Sequence, residues 1–434
     1  MTDATLHTRR QFLRSGLVGG SMAWTVPAFV SATMQEFFAK SACSAVRLDN
    51  GKDGPILVVV QLAGGNDGLN AIVPWTSDDY YRARPRLAVP RKEALRLDDS
   101  FGWHPGLAGL KELYDDGSLA VVHGVGYPNP NRSHFRSMEI WQTASEADRY
   151  EKHGWIGRYF DSQCRGDDAG VGIALSHETP QAFRAAQSKG ITFQDPDQYR
   201  FIGVGDDAIG DAESEFFETM NAGDSIGSLS GSTRTRSSDS PLDFLERTAL
   251  DAQVTSDEIR SISRTAQNEA SYPQGRLAND LKTVARLIAG GMPTRIYYVS
   301  QGGYDTHTNQ QGAHDRLLRE FGGSIQAFMK DLAAQGNLDR VLVMGFSEFG
   351  RRVEENASGG TDHGAAAPVL LAGGRVLGGL HGTFPRLKPA DLDRGDPIHT
   401  VDFRSIYASV LEQHLRAPSR EILGRQFPQL KLIG

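Results

Sequence analysis

Short runs of apolar residues, each closed by glycine or a polar turn, recur four times along this chain and limit what it can fold into. The first lies in PILVVVQLAGGNDGLN, residues 55–70. A run without polar alternation reads as a strand buried on both faces of a parallel sheet. The next three each follow an amphipathic helical pattern. One has a stop at Gly117 and a strand over Leu119–Val125, one a Gly-Gly-Met-Pro break and a strand over Arg295–Ser300, and one a strand over Arg340–Phe346. Alternating helices and buried strands predict a doubly wound α/β fold, a mostly parallel sheet with helices on both faces. Ligands of such sheets sit beyond the carboxyl ends of the strands.

The first thirty residues read as an address. HTRRQFLRSGLVGGSMAWTVPAFVSAT carries Arg9-Arg10, then Phe12-Leu13, a mildly apolar run, and small residues at Val30-Ser31-Ala32. The pattern is similar to a twin-arginine export signal. Residues 1–32 are therefore expected to send the protein to the periplasm or out of the cell, with 33–54 as a linker and 55–434 as the folded domain. Cys43 is a poor lipid-anchor candidate, because Lys40 stands where an apolar residue is needed. Cys164 is the one other cysteine. A disulfide framework and a cysteine zinc site are thus excluded, and a single bridge stays open. No later stretch reaches the roughly 18 apolar residues of a membrane span. A net charge of -7 and a pI near 6.0 argue against nucleic acid as the partner. The polar section from about 180 to 275, with its Ser/Gly/Thr-rich stretch 221–240, reads as a mostly helical insertion or cap carrying a surface loop.

Polar residues appear where the core pattern stops. The first strand ends in Asn66-Asp67, and the second leads to Ser133, His134 and Arg136 at a helix start. Asp305 and His307 follow the third, Glu348 and Arg351-Arg352 the fourth, and Asp362-His363 comes soon after in GGTDHGAAAPVLL. Each has a structural reading of its own: a glycine turn, a helix cap, a hydrogen-bonded loop, a glutamate paired with arginine. Together on one sheet edge, carboxylates and imidazoles suit a divalent metal, zinc first, as one or two ions. A serine at a helix N-terminus beside an arginine suits attack on a bound oxyanion. Other histidines read more plainly. His104 starts a helix, His123 is a core residue, and His381 and His399 are reserve ligands.

Five segments, LAGGNDGLN, NRSHFRSMEIWQTA, GGYDTHTNQ, FSEFGRR and GGTDHGAAAPVLLAGG, resemble a secreted bacterial family known as domain of unknown function 1501. That family is in turn similar to the alkaline phosphatase and sulfatase superfamily. The resemblance implies an alkaline-phosphatase-like α/β fold and an exported metal-dependent hydrolase. Its substrate is expected to be a small-molecule or polymer ester of phosphate or a related oxyanion. By motif, the nucleophile falls on Ser133, or second on Ser137, with Arg136 or Arg351 steadying the anion. Asp305, His307 and His363 make one metal site. Asp67, Ser133 and Glu348 make another that lacks a ligand, because Phe349 replaces a histidine and only His134 is at hand to fill the gap. That departure keeps a second reading open, a non-catalytic binding component of an assembly with another exported protein. Sulfatase chemistry is disfavoured, since Ser133-His134-Phe135-Arg136 lacks the required proline and spacing. An oxidoreductase finds no flavin, haem or iron–sulfur motif.

Overall fold

The computed structural model describes residues 54–163, 169–186, 190–199 and 255–434. They belong to one compact unit, Arg47–Val204 with Asp251–Gly434, while the other unit, Met1–Val46 with Gly205–Leu250, lies outside the described residues. The expected export signal, the linker up to residue 53, Cys43, Cys164 and the 221–240 stretch all lie outside them too.

In chain order the strands are β1 (Ile56–Leu62), β2 (Ile72–Val73), β3 (Leu95–Arg96), β4 (Gly102–Trp103), β5 (Leu119–Gly126), β6 (Gly172–Leu175), β7 (Ile191–Phe193), β8 (Ile296–Gln301), β9 (Val341–Phe346), β10 (Arg351–Glu355), β11 (Thr361–His363), β12 (Ala367–Ala372), β13 (Gly379–His381) and β14 (Val401–Asp402). The main sheet runs β13-β5-β12-β9-β1-β8-β6-β7, with β14 beside β5. All its pairings are parallel except those of β12, which runs against both β5 and β9. The reason is local. The β10–β11 hairpin follows β9 and turns the chain back, so β12 returns beside β9 without a helical crossover.

Alternation along β1 shows why its run is wholly apolar. Leu57 and Val59 join one core with Trp141, Trp155 and Phe403. Ile56, Val58 and Val60 join the opposite core with Leu110, Val284 and Phe328. The first three partners lie in or at the start of helices α3 (His134–Thr143), α4 (Trp155–Gln163) and α7 (Phe403–Ser409). The second three lie in α2 (Ala108–Asp115), α5 (Arg276–Ala289) and α6 (Gln310–Ala334). A further short helix, α1 (Gly68–Ala71), follows β1. The fold is therefore a doubly wound, mostly parallel α/β sheet with helices on both faces.

The section expected from about residue 180 as a mostly helical insertion also lends one short strand to the main sheet. Ile191–Phe193 is a strand of the main sheet, paired in parallel with β6, because Ile191 and Phe193 bury against the α2-side core. Among the described residues no helix is long and apolar enough to cross a membrane.

β1 lies between β8 and β9 and runs parallel to both. Their carboxyl ends therefore open side by side, and the loops that follow them build the site.

Candidate metal centre

Three histidines and one aspartate meet beyond these strand ends. The loop after β8 brings Asp305 and His307, β11 ends in His363, and α3 starts at His134. Asp305 Oδ1 lies 3.0 Å from the Nε2 atoms of His307 and His363 and 3.4 Å from His134 Nε2. The two nitrogens of His307 and His363 are 2.9 Å apart. Ligand atoms of His134, Asp305 and His363 all lie within 4.8 Å of one another.

The other nitrogen of each ring decides what this convergence means. His134 Nδ1 is 2.8 Å from Glu348 Oε1, His307 Nδ1 is 3.2 Å from Asp362 Oδ1, and His363 Nδ1 is 2.8 Å from the Arg132 carbonyl. Carboxylates and carbonyls only accept, so each Nδ1 carries the hydrogen and donates it. Neutral rings held this way turn three Nε2 lone pairs toward one carboxylate oxygen, those of His307 and His363 also toward each other. Nothing in that arrangement donates to His134 Nε2, which is buried without a hydrogen-bond partner. Lone pairs so gathered repel unless a cation lies among them. A three-imidazole, one-carboxylate donor set with each ring braced through Nδ1 fits zinc or a similar divalent ion.

The surroundings keep the carboxylate ionised. Partial burial opposes charge on Asp305, but the hydrogen bond and the charge of Arg351 override it, holding the group below the usual carboxylate range. Glu348, bonded to Nδ1, raises His134 above its ordinary value, against a desolvation that lowers it. Asp362 is lowered mainly by its Asn356 hydrogen bond, against partial burial, with His307 and Arg352 adding to the effect.

Glu348, expected as a ligand, stands behind the histidine cluster, bonded to His134 Nδ1. It is fully buried, accepts from the Gly64 N–H at 2.8 Å and braces His134. Gly64 is required there, since φ is +119° and a Cβ would meet the Asp305 nitrogen at 2.5 Å. Phe349 forms an apolar wall, its ring 4.8 Å from those of both His134 and His363. His134, at hand only as a substitute in the sequence, is thus a full member.

Asp67 does not join the cluster. Its carboxylate is buried on the Arg84 guanidinium at 2.6 Å and accepts from Gln310 Nε2 at 2.5 Å. Burial pushes its pKa up, but Arg84, His314 and Gln310 outweigh that and lower it.

Both arginines expected to steady an anion are committed elsewhere. Arg136 is buried against the carbonyls of Glu146, Ala147 and Arg149, pairs with Glu139 and stacks on Tyr150. Arg351 is buried and donates to the carbonyls of Gly64, Gly65, Tyr304 and Thr361 and to Asp305 Oδ1. Their charge alone suggested a ligand role, but the folded chain surrounds each with acceptors.

Ser133 is exposed at the N-terminus of α3 and makes no side-chain capping bond. Its neighbours Arg132 and His134 both touch the cluster. Ser137, the second choice, is buried between Tyr127 and the Glu348 carbonyl. His104 Nδ1 caps the turn at Gly106, and His123 is buried between Phe101 and Phe384. His381 Nε2 bonds the Leu377 carbonyl, and the His399 Cβ lies against Gly126.

The cluster rests on a residue the sequence did not single out. Gln310 Oε1 accepts from Thr306 at 3.1 Å and Thr361 at 2.6 Å, coupling the two loops that carry Asp305, His307, Asp362 and His363. Gln310 closes the GGYDTHTNQ segment, but that segment gave it no role, because only the packing of α6 brings it under both loops.

No curated protein matches the chain. Among solved structures it is similar to the C-terminal periplasmic domain of EcEptC from Escherichia coli in complex with Zn, at 11% identity and TM-score 0.33, covering 75% of this chain and 74% of that one. It is also similar to alkaline phosphatase from the Antarctic bacterium TAB5, at 12% identity and TM-score 0.30, covering 74% and 92%. A third is PsFucS1 sulfatase from Pseudoalteromonas sp., at 9% and 0.35, covering 92% and 73%. TM-scores this low decide neither fold nor chemistry, which rest on the strands and side chains above. Over residues 55–428 the sequence matches the family described as "Protein of unknown function (DUF1501)", and the chain belongs to that family.

Proposed function

We propose that this protein is an exported, metal-dependent hydrolase of a phosphate ester or a related oxyanion ester. The observation that carries the reading is the convergence of three braced imidazole Nε2 atoms on Asp305 Oδ1, with His134 Nε2 buried and unpartnered. His134, Asp305, His307 and His363 would hold zinc. When bound, zinc supplies a positive charge that polarises an ester oxyanion and offsets charge developing on it.

The chain's own groups do the rest. Glu348, Asp362 and the Arg132 carbonyl fix the three rings, so none must reorient when a ligand arrives. Arg351 holds Asp305 from below. Ser133 supplies the hydroxyl. Its Oγ forms a bond to phosphorus as the bond to the alcohol oxygen breaks, the serine proton leaving with the alcohol. Water then cleaves the seryl ester and restores the serine.

A second reading is favoured by one observation. Four protein donors can close a zinc shell, and closed shells are structural. On that reading the chain is a binding component of an exported assembly, and its zinc is a brace. One experiment separates the two. Purified protein is assayed for zinc and for hydrolysis of aryl phosphate esters, with Ser133→Ala and His307→Ala alongside. The hydrolase reading expects both variants to lose turnover and only His307→Ala to lose zinc. Turnover equal to wild type in both would sink it, and stoichiometric zinc with no turnover in any form would favour the binding role.

A further inference from the structure

Asp396 is fully buried, yet two arginines reach it from the exposed side. Arg132 donates to Asp396 Oδ2 through Nε at 2.7 Å and through Nη2 at 2.5 Å. Arg352 Nε stands 3.5 Å from Oδ1, an ion pair without a hydrogen bond, and both of those atoms are buried and otherwise unpartnered. Among the described residues nothing accepts from Arg132 Nη1 or from either terminal nitrogen of Arg352. One carboxylate thus faces two guanidinium groups, and those terminal nitrogens stay open.

Both arginines adjoin the cluster. The Arg132 carbonyl braces His363, and Ser133 follows it directly. Arg352 follows Arg351, which pairs in register with His363 across the β10–β11 hairpin. The Arg352 charge also reaches Asp362. The hairpin explains the division of labour, since successive residues of β10 face opposite ways. Arg351 turns inward to the loops and Arg352 turns outward to Asp396.

We infer that Arg132 and Arg352, set by Asp396, form the oxyanion-recognition pair of this site, accepting a phosphate or sulfate group through their free guanidinium nitrogens. Asp396 holds Arg132 by hydrogen bonds and draws Arg352 by charge alone, leaving the outer edge of each fork to a ligand, and planar forks match tetrahedral oxyanions. The inference rests on the hydrolase reading for its chemistry and replaces Arg136 and Arg351 in the role the sequence suggested.

The test is calorimetric titration of the zinc-loaded full chain with inorganic phosphate. Arg132→Met, Arg352→Met, their lysine counterparts and Arg386→Met are titrated beside wild type, and zinc content is measured for each. Each methionine variant is expected to weaken phosphate binding at least about tenfold, the scale of losing a charge-assisted fork. The lysine variants should fall between, and all variants should keep their zinc. Arg386, exposed and paired only at 3.9 Å with Asp391, should bind as wild type. Phosphate binding unchanged in both methionine variants, or no phosphate binding by zinc-loaded wild type, overturns the inference. Wild type that takes up no zinc overturns the metal reading instead, and the same titration of the metal-free protein then decides the arginines. If a methionine variant fails to fold, its lysine counterpart decides.

Discussion

Replacing Arg351 with methionine separates a scaffold arginine from a ligand-binding one. Methionine keeps much of the length and apolar stem but removes all five hydrogen bonds. Four carbonyls and one carboxylate oxygen, from the loops after β1 and β8 and from β11, lose their donor together. A buried polar group left unpaired costs about 1–3 kcal/mol. Relaxation and water access at the half-exposed Asp305 reduce the sum, so about 4 kcal/mol is the expected loss. At roughly 2 °C per kcal/mol for a chain of this size, the melting temperature should fall by about 8 °C. Lysine keeps the charge but offers three donors to five acceptors, and about half of that loss is expected. Zinc affinity should drop by about 10- to 100-fold in the methionine variant, since Asp305 loses the partner that orients it. Thermal unfolding by circular dichroism in chelator, then zinc titration of the folded protein, reads both effects. A methionine variant that melts within 2 °C of wild type (roughly 1 kcal/mol) but binds phosphate more weakly would make Arg351 an anion ligand and refute the reasoning.

Three further outcomes follow from the same geometry. In Gly360→Ala the new Cβ would meet the His307 carbonyl carbon at 2.2 Å and its oxygen at 2.3 Å; the main chain must shift, and zinc affinity measured by dye competition should fall about 100-fold or more, the upper reach of outer-shell changes, so affinity equal to wild type would contradict the placement of β11. Gln310→Leu removes the acceptor of Thr306 and Thr361 and a donor to Asp67, and should cost about 2–3 kcal/mol together with about tenfold in zinc binding; a change in stability alone would show that the two loops are held without it. His123, His314 and His414 are pushed by burial from 6.5 down to about 4. The unfolded chain therefore binds more protons between those values, and the stability these groups contribute is whole above about pH 6.5 and is lost as pH falls toward 4. Each adds a slope of about 1.4 kcal/mol per pH unit within the window. His123→Phe, between Phe101 and Phe384, should lower the slope of unfolding free energy against pH by about that amount, and an unchanged slope would show that His123 is not held neutral.

Much of the sheet was legible because its strands are buried on both faces. Such burial forbids polar alternation and leaves runs like Ile56–Leu62 with one interpretation. The polar residues that end those runs were visible for the same reason, and Asp305, His307 and His363 could be read directly. What escaped depended on which way a side chain turns. Glu348 and His134 are far apart in sequence, and nothing local says that one carboxylate faces the other's Nδ1 instead of a metal. Arg136 and Arg351 look like free cations until the carbonyls around them are in place. Asp67 reads as a strand-end ligand, but Arg84, on the following segment, closes on it. The reversed β12 carries no mark of direction either, since an apolar run reads alike both ways.

Phe349 has a consequence for traffic. Its ring is buried and packs on two of the three imidazoles, so that flank is sealed by hydrocarbon. Asp305 is half exposed and Ser133 stands in solvent. On the hydrolase reading proposed above, an ester would approach past this exposed edge. Released phosphate would then compete with the next molecule for the same threshold, and turnover would slow as product accumulates.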